Sequence, residues 1–249
     1  IIAVGSGKGG VGKTTVVSNL AAALSHFNRS VVVVDGNLAT SNLGLHLGIP
    51  LYPVTLQDVL KGKARLKDAV YFHPAGFRII PADVSLSKLM VPQTSRLMDV
   101  FNRLTGDADF VLIDCAAGLG EDTLPIVRAA DEMITVTNPE LPAVTDALKL
   151  VRIAEGCGTR NLGAVVNRIK NMPHELSVKH IEDFLNLPII GRVYEDHNIG
   201  RSVAKKEPVV VHRPKSVAAQ QFKKIAADIL GEDYRVRVPV VHRLFGWLR

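Results

Sequence analysis

The opening segment limits the possible folds more than any other. An unbroken apolar run, Ile1-Ile2-Ala3-Val4, enters Gly5-Ser6-Gly7-Lys8-Gly9-Gly10-Val11-Gly12-Lys13-Thr14-Thr15, and apolar residues then repeat at helical spacing over 14–25. Glycines packed this densely between a strand and a helix let the backbone curl until successive N–H groups point inward. The helix that follows aims its unpaired amides and positive end at the same point. Gly7, Gly12, Lys13 and Thr14 fit the spacing G-x-x-x-x-G-K-[ST] without a mismatch, in the strand–loop–helix setting that gives the spacing its meaning. Amides of this kind cradle phosphate oxygens. Lys13 adds a charge near the β- and γ-phosphates, and the Thr14 hydroxyl is a hard oxygen suited to Mg²⁺.

The rest of the chain continues the alternation. Apolar, β-rich runs fall at 1–5, 30–35, 77–81, 109–114, 132–137, 162–167 and 188–193. Most lack polar alternation, as strands buried on both faces of a parallel sheet do. Helical patterns occupy 14–25, 95–104, 143–154, 176–185 and 216–230. The expected fold is α/β, a doubly wound, mostly parallel sheet with helices on both faces. The expected organisation is one domain over 1–230 and a tail over 231–249.

Two acids close strands after the phosphate loop. Asp114 ends the run Phe110-Val111-Leu112-Ile113, where a carboxylate can hold Mg²⁺ through water. Asp35 ends Val31-Val32-Val33-Val34 in the same way. Thr14, Asp35 and Asp114 are the candidate metal ligands.

The string Lys8-Gly9-Gly10-Val11-Gly12-Lys13-Thr14 resembles the deviant Walker A motif of the MinD/ParA family of ATPases. An ordinary phosphate loop has no need of a lysine at position 8. The resemblance implies that Lys8 crosses a dimer interface to the partner's phosphates, so that ATP closes a homodimer. Residues 114–118, Asp-Cys-Ala-Ala-Gly, resemble the family's Asp-x-Pro-Ala-Gly switch, with Ala116 in the place of proline, and imply a γ-phosphate sensor in the Gly118 amide. Residues 35–43 resemble its other switch, but Asn37 stands where the family has an acid associated with the attacking water. An amide can orient water but cannot take its proton. The resemblance therefore implies retained binding and slow hydrolysis, with Lys8, Lys13, Asn37 and Asp114 as the catalytic group. It extends to Thr137-Asn138-Pro139-Glu140, and it implies an adenine pocket from Asn167, Arg168, Tyr194, Glu195 and Asp196. Gly7 to Thr15, including Gly9, Gly10, Val11, Gly12 and Thr15, would bind the phosphates of ATP or ADP with Mg²⁺.

Composition excludes some classes. No apolar run approaches the ~20 residues of a membrane span, and the opening residues lack the charged start and cleavage site of a secretory signal. Cys115 and Cys157 have no metal-type spacing, which disfavours an iron–sulfur carrier and suits a reducing, cytoplasmic setting. The eight histidines show no ligand spacing and read as surface or packing residues. Beyond Asp233 come Arg235, Arg237, Arg243 and Arg249 and no acid. Val241, Leu244, Phe245 and Leu248 would share one helical face, so 240–249 reads as a basic amphipathic segment for an anionic membrane surface. It also resembles the family's membrane-targeting end. Together these imply a peripherally membrane-bound ATP dimer that places the division septum with regulatory protein partners, and that reads no nucleic-acid sequence. The alternative within the family is a partition ATPase, whose dimer binds DNA non-specifically through Arg201, Lys205, Lys206, Arg213 and Lys215.

Overall fold

The computed structural model describes residues 1–38, 41–48, 52–83, 94–120 and 122–236. Eight strands form one sheet: β1 Ile2–Ser6, β2 Val31–Asp35, β3 Tyr71–Phe72, β4 Arg78–Ile80, β5 Phe110–Ala117, β6 Glu132–Thr137, β7 Arg160–Ile169 and β8 Ile189–Tyr194. Their order is β3-β4-β2-β5-β1-β6-β7-β8. All neighbours are parallel except the edge pair β3–β4. The helices are α1 Lys13–His26, α2 Leu43–His46, α3 Leu56–Leu60, α4 Thr94–Leu104 and α5 Leu124–Ala129. They continue with α6 Leu141–Cys157, α7 Val178–Leu185, α8 His197–Ala204, α9 Val209–His212 and α10 Val217–Leu230.

The uninterrupted valines of β2 show why the sheet is covered on both sides. Val31 and Val33 enter one apolar layer with α1, α9 and α10, while Val32 and Val34 enter the other with α4 and α5. Successive side chains point to opposite faces, so a strand without polar alternation needs two coverings. Strand β1 divides in the same way: Ile2 and Val4 face one layer and Ala3 the other. It lies between β5 and β6, where the connections turn from one half of the sheet to the other. Crevices beyond the C-terminal ends of strands at such a reversal are where doubly wound sheets take ligands.

The doubly wound sheet and its strand runs agree with the sequence reading, and the main differences are extensions and additions. β5 continues through Cys115, Ala116 and Ala117 instead of turning at Asp114. Alanine at 116 keeps the N–H and the free φ that a proline would remove. The short elements β3, α2, α3, α5, α8 and α9 come in addition to those expected.

Helix α10 stops at Gly231, which takes the left-handed conformation at φ 68°. Tyr234 then folds back: its ring meets the edge of Phe27 at 5.8 Å, and its hydroxyl donates to Gln220 Oε1 at 2.9 Å. Arg29 pairs with Glu232 at 3.0 Å. The chain is thus traced as far as the distal end of α1. The amphipathic segment 240–249 lies outside the described residues.

Candidate functional site

Gly12 carries the turn from loop to helix at φ 90°, ψ 27°, and accepts the first helical hydrogen bond from Val16 N–H at 3.0 Å. A Cβ there would come within 2.4 Å of Asn167 Nδ2. Gly7 is needed for a different reason: a Cβ would strike the Asp146 carbonyl oxygen at 2.2 Å, so its absence lets α6 lie against the loop. Lys13, Thr14 and Thr15 form the first turn of α1, whose amides have no partner inside the helix.

Below the loop is a buried ionic cluster. Lys13 Nζ donates to Asp114 Oδ1 at 2.8 Å, and Thr14 Oγ1 donates to Asp114 Oδ2 at 2.7 Å. Asp114 and Lys13 are 2% and 8% exposed, so neither charge has water as a substitute partner. Asp35 stands in register beside Asp114 across β2 and β5 and is fully buried. Its Oδ2 accepts from Ser41 Oγ at 2.6 Å and its Oδ1 from the Asn37 N–H at 3.0 Å. Burial first and Asp114 second push the Asp35 carboxyl up to about 7, against the pull of Ser41, Asn37 and Lys13. Two carboxylates, two hydroxyls and one ammonium therefore converge at the strand ends. With both carboxylates ionised the set is short of positive charge among the described residues, and a hard dication would supply it.

Above the cluster opens a cavity of about 410 Å³, lined by Gly9 through Thr15, Asn37, Asn42, Ala116, Ala117, Asp122 and Arg168 among others. A second cavity of about 440 Å³ shares Thr15 and Arg168 with it and adds His46, Asn167, Glu195, Asp196, His197 and Ile199. Asn167 Nδ2 donates to the Val11 carbonyl at 2.7 Å. Its Oδ1 is buried and has no hydrogen-bond partner among the described residues, which leaves one acceptor unfilled. Burial lowers the His46 imidazole below its ordinary value, with Asp114 pulling the other way. The two cavities together have the form of a phosphate cradle beside a polar pocket.

The model of the ParA family, described as a NUBPL iron-transfer P-loop NTPase, matches residues 1–230. The chain belongs to the ParA family of P-loop NTPases. An uncharacterized ATP-binding protein of Methanocaldococcus jannaschii is 44% identical over 237 residues, covering 95% of this chain and 90% of that protein. The septum site-determining protein MinD of Synechocystis is 34% identical, covering 94% and 90%. The solved structure of Pyrococcus horikoshii MinD complexed with Mg-ADP is 36% identical with a TM-score of 0.87, covering 92% of this chain and 94% of that one.

Most residues that the resemblance singled out converge on this ParA-type site. Gly9, Gly10, Val11, Gly12, Lys13, Thr14, Thr15 and Asn37 line the first cavity, Asn167, Glu195 and Asp196 the second, and Arg168 both. Lys8 is exposed, lines neither cavity, and its ammonium pairs with no described residue. Tyr194 also lines neither cavity: the residue is 36% exposed, and its N–H donates to Gln221 Oε1 at 3.0 Å. Asp196 has a structural task as well, capping α8 through the Asn198 N–H at 2.9 Å and accepting from Ala218 N–H at 3.1 Å. The Gly118 N–H donates to the Ser6 carbonyl at 2.9 Å, so in this conformation it is not offered to a phosphate. His46 and His197 line the second cavity although the sequence marked no histidine for the site. Ser41, Asn42 and Asp122 also gained no role from spacing. Ser41 and Asn42 lay inside the segment already compared with a family switch, and their neutral side chains carried no separate signal. Cys115 is wholly buried and its thiol is pushed up to about 12 by burial, while Cys157 is half-buried at the end of α6. These two cysteines do not form an exposed ligand pair for a cluster.

Proposed function

We propose that this chain is an Mg-ATP-gated dimerisation switch of the MinD kind, a slow ATPase that docks on anionic membrane and helps to place the division septum. The observation that carries the reading is the combination of the Lys13–Thr14–Asp114 cluster under the loop with an exposed Lys8 whose ammonium pairs with no described residue. Mg²⁺, held by Thr14, Asp114 and Asp35, would neutralise phosphate charge during hydrolysis. Loop amides and the first turn of α1 orient the phosphates, and Lys13 exchanges part of its contact with Asp114 for phosphate oxygen. Asn167 and Arg168 hold the base beside the loop. Lys8 finds a counter-charge only when a second copy brings its phosphates, so the ATP state favours the pair.

The septum role is supported by the likeness to MinD over nearly the whole chain and by the basic amphipathic sequence 240–249. Paired segments on one dimer raise avidity by roughly 10²–10⁴ without a new contact. A partition ATPase is the second reading, since Arg201, Lys205, Lys206, Arg213 and Lys215 are all exposed. Light scattering with ATP or ADP tests the switch. Lys8→Ala should bind a fluorescent ADP analogue normally yet fail to dimerise in ATP, whereas Lys13→Ala should lose the analogue. A Lys8→Ala protein that dimerises like wild type refutes the gating. Cosedimentation with anionic vesicles, run beside DNA binding, separates the two readings.

A further inference from the structure

The first cavity holds an acid with no assigned task. Asp122 lies between β5 and α5 and is the one carboxylate among the described residues lining that cavity. Its position is set by its neighbour. Thr123 is 1% exposed, its hydroxyl reaches the Ala116 carbonyl at 3.5 Å, and its N–H donates to the Gly120 carbonyl at 3.1 Å. That doubled-back turn returns residue 122 to the end of β5, beside Ala116 and Ala117 on the cavity wall. Asp122 is half-buried, and no hydrogen bond or ion pair engages its carboxylate among the described residues. The other two acids are committed: Asp114 accepts from Lys13 and Thr14, and Asp35 from Ser41 and Asn37. Asn37 lines the cavity too, but its amide has no basic oxygen to take a proton.

We propose that Asp122 is a catalytic residue of ATP hydrolysis in this chain, accepting the proton from the attacking water in place of the acid that residue 37 lacks. This rests on the reading of the cavity as an Mg-ATP site. In the step, the water oxygen bonds to the γ-phosphorus, and the bond from that phosphorus to the β–γ bridging oxygen breaks. ADP leaves with that electron pair, and the water's proton passes to the Asp122 carboxylate, which then returns it to solvent. Asn37 orients the water and Asp122 supplies the base, so the work of one acid is divided between two loops.

The test uses the full chain and three readouts: single-turnover hydrolysis, affinity for a fluorescent ADP analogue, and lifetime of the ATP dimer by light scattering. Asp122→Asn keeps the shape and removes the charge. It should slow turnover by about 10²-fold or more, as loss of a general base does. Analogue affinity should stay within about twofold, because a group acting only in the transition state leaves ground-state binding alone. The ATP dimer should persist correspondingly longer. Adding Asn37→Asp to that variant should restore part of the rate. Turnover at the wild-type rate in Asp122→Asn overturns the proposal. So does a variant that loses analogue binding, a double variant no faster than the single one, or a wild-type chain that binds ATP without turning it over. A wild-type chain that fails to bind the analogue removes the nucleotide reading as well.

Discussion

Replacing Gly12 by alanine tests whether the loop's conformation is dictated locally or by its distant partner on β7. Two costs add. A side chain at φ 90° sits in the left-handed region, at about 1–2 kcal/mol for a non-glycine residue. The new Cβ would also stand 2.4 Å from Asn167 Nδ2, which must move off the Val11 carbonyl. Leaving that acceptor unsatisfied costs about 1–3 kcal/mol. The Asn138 amide nitrogen, turned toward the same oxygen at 3.2 Å, favours the lower part of this range. Together the loss is about 2–5 kcal/mol, or a fall in Tm of about 4–20 °C for a chain of this size. Gly10→Ala is the matched control. Its φ is 81°, but a Cβ there meets nothing within 4 Å, so only the conformational cost of about 1–2 kcal/mol applies. Thermal and urea denaturation without nucleotide, followed by circular dichroism, give both values. Equal losses in the two variants would refute the claim that the Asn167 contact constrains the loop.

Two further outcomes follow from the site and the tail. Asp35 holds a proton up to about pH 7 when folded and releases it near 3.8 when unfolded, so nucleotide-free stability should fall as pH rises through that window. The ceiling is roughly 4 kcal/mol, and Asp35→Asn should flatten the urea-denaturation profile; an unchanged slope would place the proton elsewhere. Deleting residues 240–249, or Phe245→Glu, should abolish ATP-dependent cosedimentation with anionic vesicles while leaving analogue binding intact, and binding by the truncated chain would show that the membrane contact lies in another segment.

The parts of the fold written in local pattern are legible in the sequence. The valine run of β2 requires burial on both faces, and Gly7 to Thr14 places a strand end, a curled loop and a helix start within a few residues. What escaped were contacts made across long stretches of chain. Asn167 reaches Val11 across a sequence separation of 156, and no periodicity encodes that bond. Asp122 reached the cavity because Thr123 folds its turn back on β5, a local geometry without a distinctive spacing. Asp196 was legible as part of the base pocket, but its second task as the cap of α8 went unseen. Tyr194 was drawn in by being next to Glu195, although successive residues at the end of β8 point in opposite directions. The proton on Asp35 depends on Asp114 lying beside it in the sheet, which strand composition alone does not reveal.

The fold-back of Tyr234 onto Phe27 bears on how information leaves the protein. Helix α1 begins at the phosphate loop and spans 14 residues, about 21 Å, before reaching Phe27. The tether for the last residues is therefore fixed at the far end of a rigid rod from the nucleotide. Arg29 and Glu232 brace the same end. On the proposed reading, nucleotide state then changes how many tethers an assembly presents and leaves the shape of each alone. A device of that design tolerates variation in the sequence and length of its anchor, because the only quantity transmitted is whether one anchor or two arrive together. Grafting the last residues onto an unrelated protein joined by a drug-controlled dimeriser should therefore transfer the membrane response intact, and a graft that stays soluble when dimerised would show that the anchor takes instruction from the body it left.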